Sequence, residues 1–368
     1  MMNVYQVVSD TNVGGAGRYL LNYVKHFNRE HFKVTVLIPE NSMLKPLLND
    51  VADITVIEVP FMADKSYDKR CVKAMQEIFN GEKIDIVHTH ASLSARIAAR
   101  RARAGVVVST RHCIEPPGRF PTSVVKGILN NLLCDVYVAV SDAVAQNLAD
   151  CGIKREKIQT VCNGVEPVTK LSETERYAER NKRGILEDET VFGVFARLEE
   201  VKGHQYFIEA AKQFLKKGGR GKFLIVGDGS LMEELKKQAA GVPEIIFTGY
   251  VPDTATLLNI TDVNVLSSRS EAMSLAILEA MSLGIPTIAT NVGGNPQLVK
   301  PKENGLLTEF SDSGGMAEAF LKMAANKAFY KQCAEHAGEL YRRQYTAEIM
   351  VKNLEKLYEE VANESSRK

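Results

Sequence analysis

Short runs of β-branched and aliphatic residues alternate along this chain with longer stretches whose apolar residues recur at helical spacing. That alternation restricts the fold to repeated βαβ units around parallel sheets. In the first half the strand-like runs are residues 4–8, 33–38, 54–57, 84–88, 106–109, 136–140 and 158–162. Residues 163–190 break the rhythm: Asn163-Gly164 turns the chain, and a polar, charged helix is predicted over 172–183. A second series follows at 191–195, 222–226, 245–248, 263–266 and 285–290. The pattern predicts two Rossmann-like α/β domains, 1–165 and 166–345, with parallel sheets facing each other across a cleft. Beyond Gly305 only helices are expected. The last, in segment 346–368, is long enough at about 1.5 Å per residue to pack back on the first domain through Ile349, Val351, Leu354, Leu357 and Tyr358.

At 368 residues, two domains match the usual domain size of roughly 150. No run approaches the roughly 18 apolar residues that span a bilayer. The opening MMNVYQVVSD has neither a basic region nor a cleavage site, so it reads as a first strand rather than a signal peptide. Six cysteines without a C-x-x-C pair point to a reducing cytoplasm and away from zinc. Net charge is +1, with residues 1–165 carrying 20 Lys+Arg against 16 Asp+Glu and the remainder 26 against 29. So mild an asymmetry, without aromatic interleaving, disfavours a nucleic-acid partner.

Arg197 and Lys202 follow the strand at 191–195 in FARLEEVKG. Ligands of open α/β sheets sit beyond the carboxyl ends of the strands, which is where both cations fall. An Arg fork and a compact Lys charge together suit a diphosphate, and neutralise it as a leaving group without a metal. Taken alone, an Arg-x4-Lys pair is more often plain surface charge. The segment SSRSEAMSLAILEAMSLGIPTIATNVGG then runs strand end, loop, helix, turn, strand. Ser274 is placed to cap the helix, leaving backbone N–H groups around Ser274 and Leu275 for phosphate. Glu279, on the first turns, suits ribose hydroxyls, and Glu271, ahead of the cap, suits sugar hydroxyls. Both also read as solvated helix-end charges that favour the dipole.

Arg197-x4-Lys202 followed by Glu271-x7-Glu279 resembles the donor site of the family 4 retaining glycosyltransferases, which have the GT-B fold. SDTNVGGAGRYL, IDIVHTH, STRH, VAVSDAV, CNGV, GVFARLEEVKG, FLIVGDG and FTGYV stand in that family's order over nearly the whole chain. The resemblance implies that Arg197 and Lys202 grip the diphosphate, Glu279 holds the ribose and Glu271 touches the donor sugar, with Gly249 and Tyr250 of FTGYV also on the donor side. Many members carry Glu-Gly-Phe-Gly where this chain has Glu271-Ala272-Met273-Ser274, so the identity of the sugar does not carry over.

In the first half, Gly14-Gly15-Ala16-Gly17 precedes a helix predicted from about Arg18, and lacks the third glycine of a dinucleotide fingerprint. By resemblance, Gly14 and Gly15 approach the donor phosphate and the acceptor; they also fit a plain strand-to-helix turn. His88, His90 and His112 fall near strand ends, where a lone histidine is commonly a structural hydrogen-bonder. The resemblance favours His112 as the contact to the donor sugar near its reacting carbon, with Arg111 and His90 on the acceptor side. Cations at 96, 100, 101, 103, 111, 119 and 126 against the single acid Glu115 make residues 96–126 the most basic stretch. A helix over 93–104 would set Arg96, Arg100 and Arg103 on neighbouring turns, suiting an anionic membrane or a lipid-phosphate acceptor.

These features predict a metal-independent, cofactor-free transfer of a sugar from a nucleoside-diphosphate sugar, UDP by default, to a sugar, polysaccharide or lipid-linked acceptor of the cell envelope. Retention follows from the resemblance. A departing phosphate oxygen can take the acceptor proton, so no glycosidase-like carboxylate pair is required, and no D-x-D motif occurs. Rival readings are a sugar-nucleotide 2-epimerase, a non-catalytic nucleotide-sugar sensor and, lower, an NAD-linked oxidoreductase.

Overall fold

The structure is a computed structural model that describes residues 1–62, 67–90, 92–116, 118 and 121–366. It divides into two compact units, one formed by 1–165 with 347–368 and the other by 166–346.

Seven parallel strands build the sheet of the first unit: β1 (Met2–Val8), β2 (Phe32–Pro39), β3 (Ile54–Val59), β4 (Ile86–His90), β5 (Val106–Arg111), β6 (Val136–Ala139) and β7 (Ile158–Thr160), in the order β3-β2-β1-β4-β5-β6-β7. β1 and β4 are neighbours from which the order runs outward in both directions. Helices cover both faces, so the strands are buried on both sides and read as continuous apolar runs. Val4, Val36, Ile86 and Val108 of the sheet pack with Leu20, Tyr23 and Val24 of the Gly15–His26 helix. The closing Ala347–Ser366 helix belongs to this core, burying Met350, Val351, Leu354, Leu357 and Tyr358. Met350, rather than Ile349, takes the inward place. Each fully buried aliphatic side chain there stabilises the unit by about 1.5–3 kcal/mol.

The second unit has six parallel strands: β8 (Thr190–Phe195), β9 (Gly221–Val226), β10 (Ile245–Gly249), β11 (Val263–Leu266), β12 (Thr287–Thr290) and β13 (Gly305–Thr308), in the order β10-β9-β8-β11-β12-β13. Phe192, Phe214, Phe223 and Phe320 form its centre, Phe192 stacking on Phe223 at 5.2 Å. The charged linker helix spans Glu173–Asn181, within the predicted 172–183, and a capping box between Ser172 and Glu175 fixes its start.

Two expectations fail here. β4 lies two residues later than 84–88, which brings His88 and His90 inside the strand. β13 replaces the helix expected after Gly305; it is four residues long and lies at the sheet edge, so it carries almost no periodic signal. A side chain at Gly305 would place its Cβ 2.1 Å from the Thr287 carbonyl oxygen, so only glycine lets β13 approach β12 there.

Candidate active site

In the second unit β8 and β11 are the neighbours from which strand order runs outward, and crevices of open α/β sheets form at such a point. The loops leaving β8, β11 and β12 are stitched together there. Ser267 Oγ donates to the Lys202 carbonyl at 2.9 Å, Arg269 N to the Val201 carbonyl at 2.8 Å, and Gly294 N to the Glu271 carbonyl at 3.0 Å. Thr290 Oγ1 donates to the Ser268 carbonyl at 2.6 Å. Gly203, at φ 65°, permits the closest approach, since a Cβ would lie 2.2 Å from the Ser267 carbonyl oxygen.

On this frame Lys202 Nζ donates to Glu271 Oε1 at 2.7 Å, and Ser268 Oγ to the same oxygen at 2.6 Å. Glu271 is 9% exposed, and its Oε2 makes no hydrogen bond among the described residues. Arg197 follows β8, and its guanidinium is exposed with no hydrogen bond or ion pair among the described residues. Ser274 caps the Leu275–Ser282 helix, accepting from Ile277 N at 3.4 Å. The Leu275 and Ala276 amides ahead of that bond make none of their own among the described residues. A buried carboxylate holding one cation, a free cation and open helix-end amides make a site for a polyanion that also carries hydroxyls. Glu279 lies in the second turn, half-buried. Gly249 ends β10 at φ 70°, and Tyr250 beyond it is 71% exposed.

In the first unit Gly14 caps the Gly15–His26 helix, which starts three residues before the predicted Arg18. Nothing lies within 4 Å of where a Gly15 Cβ would sit, leaving that backbone open to a ligand. His112 follows β5. His88, His90 and His112 stack in series at 4.8 and 5.1 Å between ring centres. Burial pushes the His88 ring down to about 3, with His112 adding to the effect, and the His112 ring to about 4. His90 is held well below the usual histidine range by burial, then by His88 and His112. All three are neutral at physiological pH.

The Glycosyltransferase Family 4 model matches residues 13–168, and the Glycosyl transferases group 1 model matches residues 175–339. The chain belongs to the family 4 glycosyltransferases. It is 27% identical to the N-acetyl-alpha-D-glucosaminyl L-malate synthase of Bacillus anthracis over 84% of this chain and 83% of that protein. It is 29% identical to an Escherichia coli UDP-Gal:alpha-D-GlcNAc-diphosphoundecaprenol alpha-1,3-galactosyltransferase, covering 86% of each. Anabaena Alr3699/HepE, solved in complex with UDP, shares the GT-B fold with a TM-score of 0.85 and 20% identity, over 98% of this chain and 100% of that one.

Of the two acceptor-side residues, the geometry counts against His90 and not against Arg111. His90 is 4% exposed, and both ring nitrogens are engaged, Nδ1 with His112 Nε2 at 2.8 Å and Nε2 with Gln6 Oε1 at 3.2 Å. Neither ring nitrogen is left for an acceptor. Arg111 is ion-paired with Glu115.

The basic stretch is corrected too. Arg96 is buried, donating to Asn130 Oδ1 at 2.9 Å and Tyr137 OH at 2.8 Å, and Arg100 pairs with Asp135 at 2.6 Å. The Leu93–Ala102 helix turns its Arg96 face inward, and only Arg103, its left-handed cap at φ 52°, remains as an exposed cation of the three. Arg119 lies outside the described residues.

Sequence reasoning missed the exposed face beside this stretch. On the Thr122–Leu133 helix, Val124, Val125, Ile128, Leu129 and Leu132 are 42–69% exposed, while Gly127 is buried. An apolar stripe at helical spacing reads as core-facing, and here it faces outward. No described helix is long and apolar enough to cross a membrane. Gln6, Ser268 and Tyr358 were also missed. Gln6 is signalled only as a polar residue inside the apolar run of β1.

Proposed function

We propose that this glycosyltransferase moves a hexosyl or N-acetylhexosaminyl group from a UDP-sugar to an acceptor hydroxyl, with retention of anomeric configuration and without a metal ion. The observation that carries the reading is the Lys202–Glu271 pair, held at the β8/β11 junction beside the open amides of the Leu275–Ser282 helix. Arg197, Lys202 and the Leu275 and Ala276 amides hold the diphosphate. Glu279 takes the ribose hydroxyls. Glu271 Oε1 keeps Lys202 in place while Oε2 accepts from a sugar hydroxyl. Gly249 and Tyr250 lie on the donor side. In the first unit His112 meets the donor sugar near its reacting carbon, with Gly14, Gly15 and Arg111 beside the phosphate and acceptor.

The acceptor oxygen forms a bond to C1 on the face the diphosphate leaves. The C1–O bond breaks with its electron pair passing to the β-phosphate oxygen, and the acceptor proton moves to that same oxygen. Arg197, Lys202 and the helix end stabilise the charge that develops there, a placement worth more in a preorganised site than in water. The absence of a D-x-D sequence accords with metal independence.

One named relative is an N-acetyl-alpha-D-glucosaminyl L-malate synthase and the other a galactosyltransferase named for a GlcNAc-diphosphoundecaprenol, and we place the acceptor here among cell-envelope polysaccharide or lipid-linked intermediates at the cytoplasmic face. The outward apolar face of the Thr122–Leu133 helix supports docking on an anionic bilayer. Residues 116–134 contain no acid, and Lys126 is exposed on the same helix.

A panel of UDP- and GDP-sugars, screened in EDTA for thermal stabilisation, tests the donor assignment. A ligand at 100 times its Kd adds about 2.7 kcal/mol of stability. UDP-sugars are expected to raise the melting temperature. A panel in which no nucleotide sugar does so overturns the proposal.

A further inference from the structure

Behind His112 the first unit carries a continuous chain of buried polar contacts that the transfer reaction does not itself require. Gln6 of β1 sits at its centre. Gln6 Nε2 donates to the Tyr358 hydroxyl at 2.8 Å, while Gln6 Oε1 faces His90 Nε2 at 3.2 Å. His90 Nδ1 faces His112 Nε2 at 2.8 Å. At the other end, the Tyr358 hydroxyl meets His88 Nδ1, and His88 Nε2 meets Thr110 Oγ1 at 2.6 Å. Gln6, His88, His90 and Tyr358 are all at least 96% buried, so no water substitutes for a missing partner.

An amide has one donating end and one accepting end, and that asymmetry orders every proton in the chain. Gln6 Oε1 can only accept, so His90 carries its proton on Nε2. A neutral imidazole has one proton, so His90 Nδ1 is a lone pair and His112 must carry its own proton on Nε2. His112 Nδ1 is then a lone pair, and it makes no hydrogen bond among the described residues. The Tyr358 hydroxyl, receiving from Gln6, donates to His88 Nδ1, which places the His88 proton on Nε2 facing Thr110. At each of these contacts a donor faces an acceptor.

We propose that Gln6 and Tyr358 are positioning residues that, through His90, fix the proton of His112 on Nε2 and present its Nδ1 as a neutral hydrogen-bond acceptor to a hydroxyl of the donor sugar. The function rests on the reading of His112 given above; the proton order does not. The purpose follows from the reaction. Positive charge builds on the sugar ring as the diphosphate leaves, and an imidazolium beside it would oppose that charge, whereas a neutral lone pair does not. Tyr358 lies on the terminal Ala347–Ser366 helix, so the packing of that helix is coupled to the state of His112. The titratable groups around the chain are Tyr19 and Tyr23 of the Gly15–His26 helix, both held protonated by burial, Glu355 of the terminal helix, and His88.

The test uses the full chain labelled with 15N-histidine and no substrate. Long-range proton–nitrogen correlation at neutral pH is expected to show His90 and His112 both protonated on Nε2. Gln6→Glu replaces the amide's donating end with an acceptor and puts a negative charge beside His90. It is expected to raise the His90–His112 titration toward neutrality and to add an acid limb to the pH profile of kcat that the wild type lacks. Tyr358→Phe removes the hydroxyl that orders the amide and is expected to give a mixture of His112 tautomers; it serves if Gln6→Glu does not fold. A wild-type His112 protonated on Nδ1, or tautomers unmoved in whichever variant folds, overturns the proposal. Full transfer by His112→Asn, with the proton order as stated, would instead remove the sugar-contact reading and leave the relay standing.

Discussion

Lys202 and Glu271 stand 69 residues apart in sequence, yet Lys202 Nζ lies 2.7 Å from Glu271 Oε1 in a place where the carboxylate is almost wholly buried. A lysine held this way keeps its ammonium in one position, which a free surface lysine does not. Residues in such a pair act jointly. A double-mutant cycle with Lys202→Met and Glu271→Gln is expected to show a coupling of about 0.5–3 kcal/mol in kcat/KM, the range for contacting residues. Strictly additive losses would show that the pair does not work as a unit.

The exposed Arg197 guanidinium makes no hydrogen bond or ion pair among the described residues, so its removal costs the fold little. Arg197→Ala is expected to leave the melting temperature within a degree or two while lowering kcat by roughly 10²–10³-fold, the scale of a lost preorganised donor to developing charge. Steady-state kinetics beside a melting curve separates the two effects.

The buried histidines give a stability that depends on pH. Their folded values, about 3 for His88 and about 4 for His112, lie below the roughly 6.5 of an unfolded histidine. As pH falls through about 6.5 the unfolded chain takes up protons first. Stability is therefore complete above that pH and declines below it until the folded rings titrate, by up to about 1.4 kcal/mol per pH unit for each ring. Urea midpoints followed by circular dichroism are expected to fall between pH 7.5 and 5, with a shallower slope in His112→Asn. Equal midpoints at the two pH values would contradict the neutral assignment.

Arg96 and the Thr122–Leu133 helix predict opposite outcomes. Arg96→Ala strips Asn130 and Tyr137 of a buried partner and is expected to lower stability by about 1–3 kcal/mol with lipid binding unchanged. Ile128→Ser with Leu132→Ser is expected to abolish co-sedimentation with phosphatidylglycerol-containing vesicles at unchanged stability. The reverse pattern would return the membrane role to the arginines.

These cases show what the amino-acid pattern carries. The alternation of β-branched runs identified both sheets because strands buried on two faces are apolar throughout. Ser274 could be assigned as a cap because it precedes an apolar run and the cap is a local hydrogen bond. Arg96 could not be placed, because its partners lie 34 and 41 residues away and only the tertiary fold brings them together. The Thr122–Leu133 helix misled for a related reason: periodicity reports a stripe and not the direction it faces. Gln6 and Tyr358 are 352 residues apart, and no local pattern announces their contact.

The central claim is that Arg197, Lys202 and the capped end of the Leu275–Ser282 helix hold the donor diphosphate without an ion. Isothermal titration of UDP into the EDTA-treated enzyme tests it most directly. The expected result is the same affinity with and without chelator, and a loss of at least tenfold in Arg197→Ala and in Lys202→Ala. Binding that vanishes in EDTA and returns with a divalent cation, or that is unchanged in both variants, would contradict it.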